Sequence, residues 1–249
     1  MKAKMHYASR IILVIFSLSL VVVTWTTAAE RARVEQEPNA QTDKPAEQVY
    51  KNIQIFKGVP ASRVLKAMNF FQASLGVDCA HCHVKDAFDK DDKEAKPKAR
   101  RMIQMVGSVG SFFKENSINA TVTCFTCHRG QVKPQIIPPA WKPPATEKLA
   151  AGQEKKPAEA VYKNVQVLKG EPASNWMTVM SFMAASLGVD CNYCHVPDQF
   201  DKDDKPAKQT ARKMLQMVDK LNKDFYGGSG PITCYACHQG QPRPKTTPQ

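Results

Sequence analysis

Apolar residues at helical spacing dominate the chain beyond residue 45. Val64, Leu65, Met68, Phe71 and Leu75 line one face of a helix predicted from about Pro60 to Leu75, with Ser62 as N-cap and Gly76 as its stop. A second helix is predicted to start near Pro97, carrying Met102, Met105, Val106, Val109, Phe112 and Phe113 on one face. Its counterpart further along carries Met214, Met217, Val218, Leu221 and Phe225 and stops at Gly227–Gly228. Strand signals shrink to the brief alternation of Ile53 and Ile55. The pattern predicts a mainly α fold with long irregular segments.

The pattern occurs twice. Ala46–Val106 aligns without gaps with Ala158–Val218 at an offset of 112, and 39 of 61 positions match. SLGVDC recurs at Ser74–Cys79 and Ser186–Cys191, and FDKDDK at Phe88–Lys93 and Phe200–Lys205. After a two-residue deletion the match continues from Thr123–Gln131 to Thr233–Gln241. A long period seen only twice indicates a duplicated module rather than a solenoid. The expected organisation is module 1 over 46–131, a proline-rich connector over 132–157, module 2 over 158–241 and a polar tail over 242–249. The connector should be extended and semi-rigid, with Ile136, Ile137 and Trp141 packing onto a module, and the tail should run over the surface.

Ahead of the modules, residues 1–29 combine Lys2, Lys4 and Arg10 with an apolar run from Ile11 to Trp25 and a small-residue exit at Ala28 and Ala29. That is the layout of a secretory signal peptide, with an uncleaved membrane anchor as the alternative. Either places the remainder outside the cytoplasm, in the periplasm, free or held at the inner membrane. Residues 30–45 read as a disordered lead.

All eight cysteines fall in four C-x-x-C-H strings: Cys79/Cys82/His83, Cys124/Cys127/His128, Cys191/Cys194/His195 and Cys234/Cys237/His238. Two thiols one helical turn apart can add to the two vinyl groups of a porphyrin, and the adjoining imidazole then reaches the iron. A disulfide scaffold, a redox dithiol or half a zinc site would need no His after the second Cys. The motifs therefore imply four covalently bound haem c groups, each with its iron, in two two-haem modules.

Only His6, in the export segment, and His81, replaced by Tyr193 in the second copy, remain as other histidines. Histidine thus cannot supply four sixth ligands. Methionine stands at matching positions: Met68 and Met180 lie 11 residues before the first Cys of the nearest motif, Met102 lies 22 before Cys124, and Met214 lies 20 before Cys234. A thioether suits haem iron and raises its potential. Met177, Met183, Met105 and Met217 share these helices, and core filling is the alternative role for any of them.

Charge adds little once haem is considered. Lys and Arg number 35 against 23 Asp and Glu, a net +12 that falls to +9 without residues 1–29. Eight propionates on four haems would offset nearly all of it. With no aromatic-rich basic patch or nucleic-acid motif, a nucleic-acid partner is excluded; association with a membrane surface is not. Arg100, Arg101 and Arg212 are candidates to pair with propionates, and the FDKDDK loops to serve as solvated turns.

The strings SLGVDCAHCH, ARRMIQM at Ala99–Met105 and TCFTCHRGQ, with their second-copy equivalents, resemble the tetrahaem cytochrome subunit of purple-bacterial photosynthetic reaction centres. The resemblance covers nearly all of Val49–Gln241 apart from the connector. It implies a multihaem c-type cytochrome fold of two duplicated two-haem helical modules, with Met68, Met102 and Met180 as axial ligands. In that family the fourth haem takes a His from the other half, at the position of Asn116 here. Asn is a poor iron ligand, while Met214 matches Met102 in the repeat, so four His/Met haems are expected. The implied partners are redox proteins: a soluble electron carrier and a photosynthetic reaction centre. The expected role is single-electron transfer without catalysis; the alternatives are a periplasmic multihaem oxidoreductase with one open iron position and a respiratory carrier outside photosynthesis.

Overall fold

The computed structural model describes residues 43–145, 148–228 and 230–248. The export segment 1–29 and the lead as far as residue 42 lie outside the described residues. Pro45, the last residue of the expected lead, pairs with Pro60, and Ala46 N–H donates to Val59 O at 2.8 Å. From Pro45 onward the chain is one compact unit containing both repeats.

Eight α-helices are described: α1 (Ala46–Val49), α2 (Ala61–Leu75), α3 (Cys79–Cys82), α4 (Ala95–Glu115) and α5 (Cys124–His128) in the first half, then α6 (Trp176–Leu187), α7 (Pro206–Tyr226) and α8 (Cys234–His238) in the second. Short 3-10 turns at Ala158–Ala160, Ala173–Asn175 and Cys191–Tyr193 take the places of α1, the first turn of α2, and α3. Strand pairing among the described residues is limited to isolated bridges, none of which involves Ile53 or Ile55.

Two helix starts differ from expectation. Pro60, not Ser62, occupies the N-cap of α2, without a side-chain cap. The proline's fixed φ and its pairing with Pro45 set the entry, so no hydroxyl is required there. The α4 helix begins at Ala95, two residues before Pro97, whose missing N–H falls among the first-turn donors that have no helical partner. Helix α2 ends as expected at Gly76, which is left-handed at φ 65°, and α6 ends likewise at Gly188 at φ 67°.

Helices α4 and α7 pack the halves together. Val109 and Phe113, one turn apart on α4, meet Met217 and Leu221, one turn apart on α7, and Met105, Phe112, Met214 and Phe225 close around them. A reciprocal exchange reinforces this contact. Thr123, at the N-cap of α5, donates through Oγ1 to Thr246 O in the tail (2.5 Å), and Thr233, at the N-cap of α8, donates to Ile136 O in the connector (2.6 Å). Arg129 Nη2 donates to Cys237 O (3.3 Å) and Gln239 Nε2 to Cys127 O (3.2 Å). Each half's segment after its second motif therefore crosses to the other half. The tail is a clasp rather than a loose surface strand. In the connector, Trp141 is the residue that packs: its ring meets Phe182 edge-on at 5.1 Å and its Nε1 donates to Ser181 Oγ at 3.3 Å. Ile137 stays exposed, and Ile136 contributes its carbonyl.

Little of the interior is filled by protein. Among the described residues only eleven apolar side chains are buried, five of them alanines, and the largest fully buried side chains are Ser74 and Ser186. Leu65 on the α2 stripe is 64% exposed, and Phe88 and Phe200 are 56% and 55% exposed. With Leu65 exposed and most other stripe residues only half-buried, the helices leave room for apolar bodies against them.

Within each half, a close backbone crossing joins the two motifs. Gly130 N–H donates to Ser74 O (2.8 Å), and a Cβ on Gly76 would lie 2.1 Å from Gly130 O. The second half repeats this with Gly240, Ser186 and Gly188. Gly76→Ala is expected to cost the holoprotein about 2–4 kcal/mol, from left-handed strain plus the clash. Gly130→Ala, left-handed but with open space at its Cβ, should cost only about 1–2 kcal/mol. Urea denaturation of both variants checks the order; equal losses would contradict the crossing.

Candidate functional site

Each C-x-x-C-H begins at a residue that caps its own single turn. Asp78 Oδ1 accepts from His81 N–H (3.1 Å) and Asp190 Oδ1 from Tyr193 N–H (3.1 Å). Thr123 forms a capping box with Thr126, and Thr233 Oγ1 accepts from Ala236 N–H (3.2 Å). These caps hold the motifs in one helical turn, which puts the two sulfurs of each pair on the same side.

After each motif the chain folds back onto the histidine. In the second motif of each half, two consecutive left-handed residues, Arg129–Gly130 and Gln239–Gly240, make the reversal. They return Gln131 O to His128 Nδ1 (3.0 Å) and Gln241 O to His238 Nδ1 (2.9 Å). In the first motifs the turns bridging Val84 to Ala87 and Val196 to Gln199, with Asp86 and Asp198 left-handed, return Phe88 O to His83 Nδ1 (2.9 Å) and Phe200 O to His195 Nδ1 (2.9 Å). A carbonyl can only accept, so Nδ1 carries the proton in all four. Nε2 is thereby left with its lone pair, the arrangement of an imidazole ready to bind a metal.

Four of the thiols are not set up as nucleophiles, while the hydrogen bond with Cys127 lowers Cys237. Burial pushes Cys82, Cys124, Cys194 and Cys234 above the ordinary thiol range, the reverse of the activation a catalytic cysteine needs. Burial also lowers His128 and His238, which favours the neutral, ligating imidazole. The second motifs meet across the halves, with Cys127 Sγ 2.7 Å from Cys237 Sγ. The first motifs are held within their own halves, where Lys93 donates to Ala80 O and Lys205 to Asn192 O. Uncovered apolar stripes, paired sulfurs and metal-ready imidazoles together fit a covalently held haem at each motif, and a zinc or disulfide centre would leave those stripes bare.

The candidate sixth ligands are all half-buried. Met68 on α2 and Met180 on α6 occupy equivalent positions. Met102 receives a hydrogen bond on its sulfur from Tyr226 O–H of the other half (3.8 Å), whereas Met105 packs onto the α4–α7 cluster. Met217 is buried within that cluster, and Met214 sits at its edge. Asn116 donates through Nδ2 to Phe112 O on its own helix (3.0 Å), and its backbone O accepts from Lys213 Nζ (3.1 Å), next to Met214. His81 is exposed.

The arginines expected near propionates have protein partners. Arg100 binds Asp91 through both terminal nitrogens (2.9 and 2.8 Å), and Arg212 binds Asp203 (2.8 Å). Arg101 donates to Phe225 O and lies over the Phe225 ring. The FDKDDK loops are correspondingly tied down. Asp91 also accepts from Asn52 Nδ2 (3.1 Å) and pairs with the buried Lys96 (3.1 Å); Asp203, Asn164 and Lys208 repeat this at 3.0 and 3.1 Å. Lys96, Lys208, Asn52, Asn164 and Tyr226 were not evident from apolar periodicity. Four of the five could have been found as polar positions identical in both repeats, which no helix stripe accounts for.

The Arg100 hydrogen bond holds the Asp91 carboxyl well below the usual carboxylate range, and Arg212 does the same for Asp203. A depressed folded value means the stabilisation is complete above the unfolded value and is lost as pH falls through the folded one. The urea midpoint of Asp91→Asn should therefore lie below the parent's at pH 7, and the gap should hold to about pH 5 and close below about pH 3. Urea titrations across pH 2–7 check this; a gap unchanged at pH 2 would contradict it.

Comparison with known proteins agrees with this geometry. The family model described as photosynthetic reaction centre cytochrome C subunit matches twice, over residues 21–148 and 139–248, once for each half. The photosynthetic reaction center cytochrome c subunit of Thermochromatium tepidum is 26% identical over 260 residues, covering 85% of this chain and 64% of that protein. The protein of the same name from Rubrivivax gelatinosus is 25% identical over 281 residues, covering 90% of this chain and 76% of its own. Cytochrome c-554 of Chloroflexus aurantiacus is 35% identical over 85 residues, 32% of this chain and 20% of that protein. The chain thus spans somewhat under two thirds of the first of these relatives. Twice matched and over most of its length, the chain belongs to the photosynthetic reaction centre cytochrome c subunit family.

Proposed function

We propose that this protein is an exported tetrahaem c-type cytochrome that passes single electrons between redox partners. The observation that carries the reading is the shared state of His83, His128, His195 and His238: each Nδ1 proton is held by a backbone carbonyl, and each Nε2 is free to bind iron. When bound, haem c supplies a one-electron Fe(III)/Fe(II) couple.

The residues divide the work as follows. Cys79 and Cys82, Cys124 and Cys127, Cys191 and Cys194, and Cys234 and Cys237 would form thioether links to haem. Each of the four histidines would offer one nitrogen to iron, and Met68, Met102, Met180 and Met214 would each offer a sulfur. The Tyr226 hydrogen bond to Met102 sulfur, with Met105 in the apolar cluster, favours Met102; burial of Met217 in that cluster favours Met214. Asn116 uses its amide on its own helix, which supports sulfur rather than a residue from the other half at the fourth site. With a protein nitrogen and a protein sulfur both held by each iron, no position would remain for substrate, so the protein would carry electrons rather than catalyse.

The contact between α5 and α8 orders the relay. The sites of His128 and His238 adjoin across the halves, so electrons would cross between the modules at the Cys127–Cys237 contact, with the sites of His83 and His195 serving as entry and exit. The partners are redox proteins: a soluble carrier at one end and, following the role in the relatives' names, a photosynthetic reaction centre at the other. The site of action is the periplasm. Among the described residues no helix is long and apolar enough to cross a membrane.

A spectroelectrochemical titration of the purified holoprotein tests this reading by following the far-red band from Met sulfur to ferric iron. Four haems should carry that band, and Met214→Ala should remove one haem's share with haem content intact. A high-spin ferric haem in the parent that binds cyanide rapidly would instead indicate an open iron position.

A further inference from the structure

Two buried lysines share an acceptor with the histidines of the first motifs. Lys96 Nζ lies 2.8 Å from Phe88 O, the same carbonyl that accepts from His83 Nδ1, and 2.6 Å from Lys90 O. Lys208 Nζ lies 2.8 Å from Phe200 O, the acceptor of His195 Nδ1, and 2.7 Å from Lys202 O. Both side chains are 11% exposed, and each makes one ion pair, to Asp91 or Asp203 at 3.1 Å. The second motifs differ. Among the described residues no Lys or Arg donates to Gln131 O or Gln241 O, the acceptors for His128 and His238.

We propose that Lys96 and Lys208 are positioning residues that raise the reduction potentials of the iron sites at His83 and His195. The inference rests on the reading of those histidines as axial ligands. A carbonyl oxygen has two lone pairs. An ammonium on one withdraws density from the other, so the carbonyl accepts the Nδ1 proton less strongly. The imidazole then has less imidazolate character and donates less to the metal, which favours Fe(II) over Fe(III). The ammonium charge acts in the same sense. Its pairing with Asp91 does not cancel it, because Asp91 is also bound by Arg100, which leaves the Lys96–Asp91–Arg100 cluster one positive charge in excess. Lys208, Asp203 and Arg212 repeat the balance. The duplicated module thus builds two classes of site from one motif: end sites with a cation on the histidine's acceptor and junction sites without one.

A loop tie alone would not require charge at this position, since burying an ammonium is costly and an amide could bridge the same two carbonyls. The test is a redox titration of the holoprotein and of Lys96→Met, Lys96→Gln and Lys98→Met, each with haem content measured. Lys98 is an exposed control on the same helix, paired with Glu94. Lys96→Met should lower the potential of one haem of the four, with a three- to tenfold fall in its reduced-to-oxidised ratio at fixed ambient potential; tenfold is 59 mV for one electron. Lys96→Gln should give a smaller shift of the same sign, Lys98→Met none, and Lys208→Met should shift a different haem. Four bound haems with every potential at the parent value would overturn the proposal. If these substitutions drop haem, the parent protein decides by NMR: in the reduced state, the Nδ1 protons of His83 and His195 should resonate upfield of those of His128 and His238, and four equal positions would overturn the proposal. A parent lacking haem would instead defeat the tetrahaem reading on which the proposal stands.

Discussion

The structure depends on four imidazole–carbonyl hydrogen bonds. Each is formed because the chain reverses immediately after a C-x-x-C-H, and each fixes which nitrogen of the ring keeps its proton. The reversals are costly features, with Arg129 and Gln239 held left-handed although neither is glycine. The same turns carry Gly130 and Gly240 against Ser74 and Ser186 and so bind the second motif of each half to the helix that precedes the first. One local constraint thus sets the ligand chemistry and the packing together.

That constraint also accounts for the thin protein core. The α4–α7 cluster, five buried alanines, Val64 and Tyr235 are the apolar interior of the described residues, a thin one for two modules. On the proposed function, porphyrin would supply the filling, and its flat apolar body would suit the apolar faces of α2 and α6. The clasp of Thr123 with the tail and Thr233 with the connector completes the near two-fold arrangement. It brings the two junction motifs together, with Cys127 Sγ 2.7 Å from Cys237 Sγ.

Much of this was legible in the sequence because it is written in short, local patterns. The C-x-x-C-H strings, the repeat offset, the apolar stripes and Gly76 each follow from a few neighbouring residues with one physical reason. Ser62 was misread because a proline and a distant pairing can start a helix without a hydroxyl. Arg100 and Arg212 could be matched to propionates by charge alone, but Asp91 and Asp203, nine residues before each arginine, are their ion-pair partners, Asp91 in a bidentate pair and Asp203 to a buried guanidinium. The clasps are tertiary backbone contacts and leave no periodicity to find. The shared carbonyls at Phe88 and Phe200 were hidden for the same reason, although Lys96 and Lys208 recur at the same place in both halves.

Relatives within the family share the modules at modest identity, so ligand assignments rest on this chain's own residues. The most direct measurement is intact-mass and peptide mass spectrometry on protein matured with a cytochrome c assembly system. The account predicts four porphyrin additions, one on each of the peptides containing His83, His128, His195 and His238. Free thiols, zinc or cystine at any of these motifs in the fully matured protein would contradict it.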